Sequence, residues 1–165
     1  LAVVAADELV VLRAQLDASD ILQPQRRAVG IGAHDDLFEL ARLREAGIRV
    51  WAVLGNHDAA SVITRRLKLP ENVTLLSHDA PQTSVDERLG LAVHGQSFAK
   101  RDVGEDLAAA YPRALPGLLN VGLLHTALAG RPEHVPYAPT TADRLASKGY
   151  AYWISPGLSK GPMPR

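Results

Sequence analysis

The sequence predicts an α/β fold in which strands and helices alternate and stack as layers, and three observations carry that reading. Apolar, β-branched runs recur, most clearly over Ile48 to Leu54 and Leu118 to Leu124, as buried strands do. Helical patterns follow or precede them, which is the order that builds layered α/β domains. Polar clusters stand directly after Leu54 and after Leu124, at strand carboxyl ends, where such folds hold their ligands.

Taken in order, Leu9 to Leu12 reads as a short buried strand, and residues 13 to 34 show no clean period. From Asp35 the pattern turns helical. Asp36 with Glu39 three residues on has the form of a capping box, Leu37, Leu40, Ala41 and Arg44 follow at helical spacing, and Gly47 stops the helix. The strand Ile48 to Leu54 ends on Gly55-Asn56-His57-Asp58, and Ala59 to Lys68 reads as a second helix, closed by Pro70. Strands are expected at Val73 to Leu76 and Leu89 to Val93, with a turn-rich stretch between them. A short helix is expected at Val103 to Tyr111 and a strand at Leu118 to Leu124. A Pro- and Gly-rich loop spans 130 to 139. Thr140 or Thr141 caps a helix reaching Lys148, and Tyr150 to Ile154 is the last strand. The tail from Ser155 carries Pro156, Pro162 and Pro164, which excludes a regular element there.

Composition narrows the function. Lys plus Arg and Asp plus Glu both number 18, so any nucleic-acid surface must be local rather than a property of the whole molecule. The absence of cysteine removes disulfides and thiolate metal sites. No apolar run approaches the roughly 18 residues that span a bilayer, and a cytoplasmic enzyme in one domain, residues 1 to 165, is the expectation. The start on Leu1 fits an incomplete domain.

The cluster after Leu54 has the chemistry of a metal-assisted acid catalyst. Gly55 permits a sharp turn close to a ligand. Asn56 offers an amide oxygen, a hard ligand suited to Mn²⁺ or Mg²⁺. His57 can protonate a leaving oxygen near neutral pH, and Asp58 can orient its imidazole. The plain reading of the same residues is a surface turn, since Gly, Asn and Asp are turn formers; the position between a buried strand and a helix favours function. His125, closing a second apolar strand, is a candidate metal ligand through its pairing with Asn56. His94 at the end of another strand is expected to be structural or to support a ligand, and His34, His78 and His134 to be solvated. Arg65, Arg66 and Lys68 can hold a phosphate backbone or simply face water.

Val53-Leu54-Gly55-Asn56-His57-Asp58 resembles a signature of calcineurin-like metallophosphoesterases. The surrounding stretches sharpen the resemblance: Ala41 to Ile48, Leu91-Ala92-Val93-His94-Gly95-Gln96-Ser97-Phe98, Val121 to Thr126, Pro136-Tyr137-Ala138-Pro139 and Lys148 to Trp153. Together, over about residues 37 to 153, they are similar to bacterial DNA-repair exonucleases of the SbcD kind, in particular a YhaO-like branch. The resemblance implies two packed β-sheets flanked by helices and two Mn²⁺-type ions, with Mg²⁺ as the alternative. It implies Asn56 and His125 as metal ligands, His57 as catalytic acid and Asp58 as its partner. It also implies DNA ends as substrate, a coiled-coil ATPase of the SbcC/Rad type as partner, and a homodimer.

The chain departs from that family at both ends. An Asp-x-His pair and an intact Gly-Asp-x-x-Asp turn are absent; Asp17 and Asp20 keep the Asp-x-x-Asp spacing without the glycine. After Trp153, where the family has Gly-His-x-His, the chain reads Ile154-Ser155-Pro156-Gly157-Leu158-Ser159. A bridged two-ion site needs about six to eight protein ligands, and two are nameable. A fragment of a longer enzyme, a frame disturbed at both ends and a relative that has lost catalysis all fit that pattern. Two other functions remain open beside the exonuclease: a phosphoesterase for small phosphate esters or cyclic nucleotides, and a non-catalytic module that binds DNA or a partner protein.

Overall fold

A computed structural model describes residues 2–5, 9–14, 35–55, 69–100, 102–126 and 138–155, with backbone alone for 2–5, 9–14 and 35–39. Its strands are β1 (Ala2–Ala5), β2 (Leu9–Ala14), β3 (Arg49–Leu54), β4 (Val73–Leu75), β5 (Gln82–Asp86), β6 (Leu91–Gly95), β7 (Leu119–Leu123) and β8 (Tyr152–Ile154). Helix α1 spans Asp35–Glu45 and α2 spans Ala142–Ser147, and Leu107–Ala110 form a 3₁₀ turn. The strands form two four-stranded sheets, ordered β1-β2-β3-β4 and β5-β6-β7-β8. In the first, β3 pairs antiparallel with β2 and parallel with β4. In the second, β6, β7 and β8 run parallel and β5 pairs antiparallel with β6.

The sheets pack face to face because β3, β6 and β7 each turn an apolar face inward, and β3 is apolar on both sides, the pattern of a strand covered twice. Trp51 and Val53 of β3 point inward and join Leu76, Leu91, Val93, Val121, Leu123 and Ile154 in the central core. Val50 and Ala52 point outward and lie under Leu43 of α1. Two polar contacts set how the sheets align. Arg49 Nη1 donates to Asp86 Oδ2 at 2.7 Å, and Trp51 Nε1 donates to Ser84 Oγ at 2.9 Å. Asp86 and Ser84 pair with Leu91 and Val93, so β3 and β6 start at the same edge and run the same way. Gly95 lets them converge at their carboxyl ends: a β-carbon there would overlap Leu76 Cδ1 and lie 2.9 Å from Val53 Cγ1.

Two packed sheets flanked by helices are what the resemblance implies and are consistent with the alternating pattern, with local corrections. Helix α1 starts at Asp35, so Asp36 lies inside it rather than at its cap. Gly47, at φ +68, ends the turn after it as expected. The stretch between the expected strands at 73 and 89 contains β5, and β6 begins at Leu91 because residues 87–90 are a turn. The helix expected at Val103 to Tyr111 is only the 3₁₀ turn, since the Val103 carbonyl accepts the amide of Ala138 instead of a helical partner. Thr141 caps α2, accepting the Arg144 amide at 3.2 Å. The strand at Ala2–Ala5 was not expected. The helix expected at 59–68, residues 130–137 of the expected loop and the tail beyond Ser155 lie outside the described residues. Among the described residues no helix is long and apolar enough to cross a membrane.

Candidate active site

The parallel strands bring the ends of β3, β4, β6, β7 and β8 to one edge of the two-sheet stack. There the segment after β6 crosses from the second sheet to the first. Ser97 N–H donates to Ser77 O at 2.9 Å, and its hydroxyl donates to Leu76 O at 2.6 Å. The same hydroxyl accepts the amide of Leu54 at 3.1 Å, and Phe98 N–H donates to Leu54 O at 2.9 Å. Both backbone groups of Leu54 are thereby held by residues 97 and 98. Leu54 precedes Gly55, which is buried and opens the Gly55-Asn56-His57-Asp58 sequence.

His125 is 1% exposed, two residues past the end of β7. Phe98 stands edge-on to it, with centroids 5.3 Å apart at 82°, a favoured geometry for two π-systems. One strap thus touches the carboxyl end of β3 through its backbone and His125 through its ring. Behind it, Phe98 packs with Val103 and Ala138. Ala138 is held at φ +40, a conformation that L side chains enter at a cost of roughly 1–2 kcal/mol; its carbonyl accepts the Thr126 hydroxyl and its amide is bound to Val103 O. Tyr111 Oη donates to Leu123 O at 2.7 Å, fixing β7 just before His125, and burial pushes that phenol well above its usual range.

Of the residues nominated from sequence, the structure describes His125 and not Asn56, His57 or Asp58, which lie outside the described residues with Arg65, Arg66, Lys68, Asp17, Asp20, His34 and His134. Among the described residues no group of three His, Cys, Asp or Glu converges as a metal site. The described residues therefore contribute one nominated ligand and do not by themselves assemble a two-ion centre.

His94 takes the structural role expected of it. It is fully buried on the outer face of the second sheet, stacked on Tyr150 at 4.3 Å. Its Nε2 lies 2.9 Å from Asn120 Oδ1 and its Nδ1 2.8 Å from Thr83 Oγ1. Asn120 cannot be turned around, because its Oδ1 also accepts the Leu115 amide while its Nδ2 donates to Leu115 O and Leu118 O. Nε2 of His94 therefore carries the proton and Nδ1 accepts from the threonine, an assignment made from the network. Burial holds the His94 pKa below the ordinary histidine value, against the Asn120 bond, which raises it. His78 is exposed as expected and lies 3.0 Å from Asp79.

Ser97 and Phe98 received no role from the sequence, although they stand in the motif Gly95-Gln96-Ser97-Phe98 that carries the resemblance. The available signal was position: three residues directly beyond the glycine that closes a buried strand.

No family model matches the chain, and no solved structure matches it. A curated protein of Bacillus subtilis (strain 168), described as an uncharacterized metallophosphoesterase and named YhaO, is 35% identical over 118 residues. The match covers 70% of this chain and 29% of that protein, so the chain spans less than a third of its relative's length. Together with two packed mixed sheets whose strand ends share one edge, this similarity supports the metallophosphoesterase family as the family of this chain.

Proposed function

We propose that the chain is part of a metal-dependent phosphodiesterase that hydrolyses DNA ends in repair, in the cytoplasm. The observation that supports this most is the strap at the carboxyl edge: Phe98 donates its amide to Leu54 O and packs its ring against His125. Leu54, which precedes the Gly55-Asn56-His57-Asp58 sequence, and His125, on the other sheet, are thereby tied to one short segment.

In this reading Asn56 and His125 hold a divalent cation, Mn²⁺ or Mg²⁺, which when bound neutralises charge on the phosphate and supplies an acidic water. His57 gives its proton to the leaving 3′ oxygen, and Asp58 keeps the imidazole oriented and stabilises its charged form. The buried wall made by Phe98 and Val103 keeps water from His125 on that side. The remaining ligands, a coiled-coil ATPase of the SbcC/Rad type and a second copy of the chain belong to the same proposal.

The test is Mn²⁺-dependent hydrolysis of duplex DNA ends, in competition with p-nitrophenyl phosphate. DNA cleavage that the small ester does not suppress, and that falls at least about 100-fold in His57→Ala, is the expected result. Turnover of the small ester alone makes the chain a small-substrate phosphoesterase. DNA binding with no turnover, unchanged by His57→Ala, makes it a binding module.

A further inference from the structure

The last rung between β3 and β4 is not closed directly. Leu76 N–H donates to Ala52 O at 3.0 Å. In a parallel pair the next bond runs from Leu54 N–H to Leu76 O. The Ser97 hydroxyl stands in that rung instead, accepting the Leu54 amide at 3.1 Å and donating to Leu76 O at 2.6 Å. Ser97 is 2% exposed and comes from the other sheet, two residues past the end of β6. Its own N–H donates to Ser77 O at 2.9 Å, so its backbone is anchored beside the rung its side chain enters. The next residue, Phe98, donates its N–H to Leu54 O and sets its ring edge-on to His125.

We propose that Ser97 is a positioning residue for this edge: its hydroxyl holds the end of β3 off β4 and against the strap, and so sets the spacing between Leu54 and His125. What that spacing serves rests on the phosphodiesterase reading. Asn56 follows Leu54 by two residues in the chain, and His125 belongs to the other sheet. A cation held by both tolerates ligand distances only within about 0.2 Å, so the two sheets must keep one alignment here. The core between them is apolar burial, which is indifferent to angle. The directional ties Arg49–Asp86 and Trp51–Ser84 lie toward the amino end of β3. A hydroxyl suits the carboxyl end because one atom both accepts and donates. Without it, either the rung closes and draws Leu54 toward Leu76, or two backbone groups at a buried position lose their partner. Both outcomes disturb the strap that carries the ring against His125.

The test compares Ser97→Ala, Ser97→Thr and Leu43→Ala in the whole chain, the last a core change under α1, away from the strap. Without metal ion and at pH 8, NMR reads the carbon-bound ring protons of His125, whose shifts the neighbouring Phe98 ring displaces. Calorimetry reads Mn²⁺ affinity. In Ser97→Ala the His125 shifts are expected to move toward those of an unstructured peptide, and Mn²⁺ affinity to fall about 10-fold, the lower end of what losing a supporting group costs at a metal site. Ser97→Thr keeps the hydroxyl and is expected to restore both; Leu43→Ala is expected to leave both as in the wild type. If Ser97→Ala does not fold, Ser97→Cys, whose thiol donates and accepts weakly, is read in its place with the same outcomes. Unmoved His125 shifts overturn the inference, as do a Thr variant that behaves as the Ala one and an equal displacement in Leu43→Ala, which would make the effect one of stability. Mn²⁺-dependent hydrolysis of bis-p-nitrophenyl phosphate is read separately. A wild type that neither binds Mn²⁺ nor hydrolyses the ester, with His125 shifts still governed by Ser97, sinks the phosphodiesterase reading and leaves the positioning role. Hydrolysis with Mn²⁺ affinity and His125 shifts indifferent to Ser97 sinks the positioning role alone.

Discussion

The two sheets are covered on their outer faces by different kinds of contact. Over the first, α1 lays Leu40 and Leu43 on Val50, Ala52 and Val73, an aliphatic patch with no directional bond in it. Over the second, Tyr150 stacks on both His94 and Trp153, with centroids 4.3 and 4.9 Å away. Trp153 Nε1 donates to Leu145 O, Lys148 Nζ donates to Ala109 O, and Asn120 ties four groups together. Aliphatic burial is proportional to area and indifferent to angle. A buried polar lattice holds one geometry and fails when any member is lost. The lattice lies on β7, the strand that carries His125, so the demanding cover sits where strand position matters for chemistry.

The largest effect is expected at Asn120. Asn120→Ala would leave His94 Nε2, the Leu115 amide and two carbonyls without partners, at a cost of roughly 3–5 kcal/mol in urea unfolding. Asn120→Asp keeps the shape but turns a carboxylate oxygen toward Leu115 O and Leu118 O, so it should be nearly as damaging. A loss below about 1 kcal/mol for Asn120→Asp would show that water satisfies these groups and would erase the contrast between the covers.

On the first sheet the expected losses are smaller and follow volume. Leu43 is 7% exposed, so Leu43→Ala should cost about 2–3 kcal/mol, while Leu43→Met should cost less than about 1.5 kcal/mol because its volume is kept. The contrast sharpens if the shape-preserving change is tolerated on α1 and not at Asn120. It breaks if Leu43→Met is as costly as Leu43→Ala.

The same difference explains what the sequence made legible. Val50 to Val53 and Val121 to Leu124 are apolar runs, and apolar runs announce buried strands whatever packs on them. The strand β5 has no such signal: Gln82-Thr83-Ser84-Val85-Asp86 is polar. Its alternation becomes meaningful only once Thr83 is seen to meet His94 on one face and Ser84 to meet Trp51 on the other. The 3₁₀ turn at Leu107 was unreadable for a related reason, since the bond from Ala138 to Val103 joins residues 35 apart in number. At the site, a histidine closing a strand was visible. The ring beside it was not, because nothing local to Phe98 says that its backbone reaches Leu54 in the other sheet.

The smallest expected effect is a pH dependence that belongs to the second cover alone. His94 has its pKa lowered by burial, so the folded state binds its proton less readily than the unfolded chain, whose histidine titrates near 6.5. The contribution is full above about pH 6.5, declines as the pH falls from there to the folded-state value, and is constant below it. The folded protein should therefore be less stable at pH 5.5 than at pH 7.5, and part of that difference should vanish in His94→Gln, which does not titrate. Thr83 moderates the loss, since its hydroxyl can rotate to accept a proton from Nδ1, which is why the effect ranks last. Denaturation at the two pH values in both proteins measures it. An identical pH slope in wild type and variant would mean that the lattice tolerates a charged ring, and that its directional bonds are less demanding than the Asn120 geometry requires.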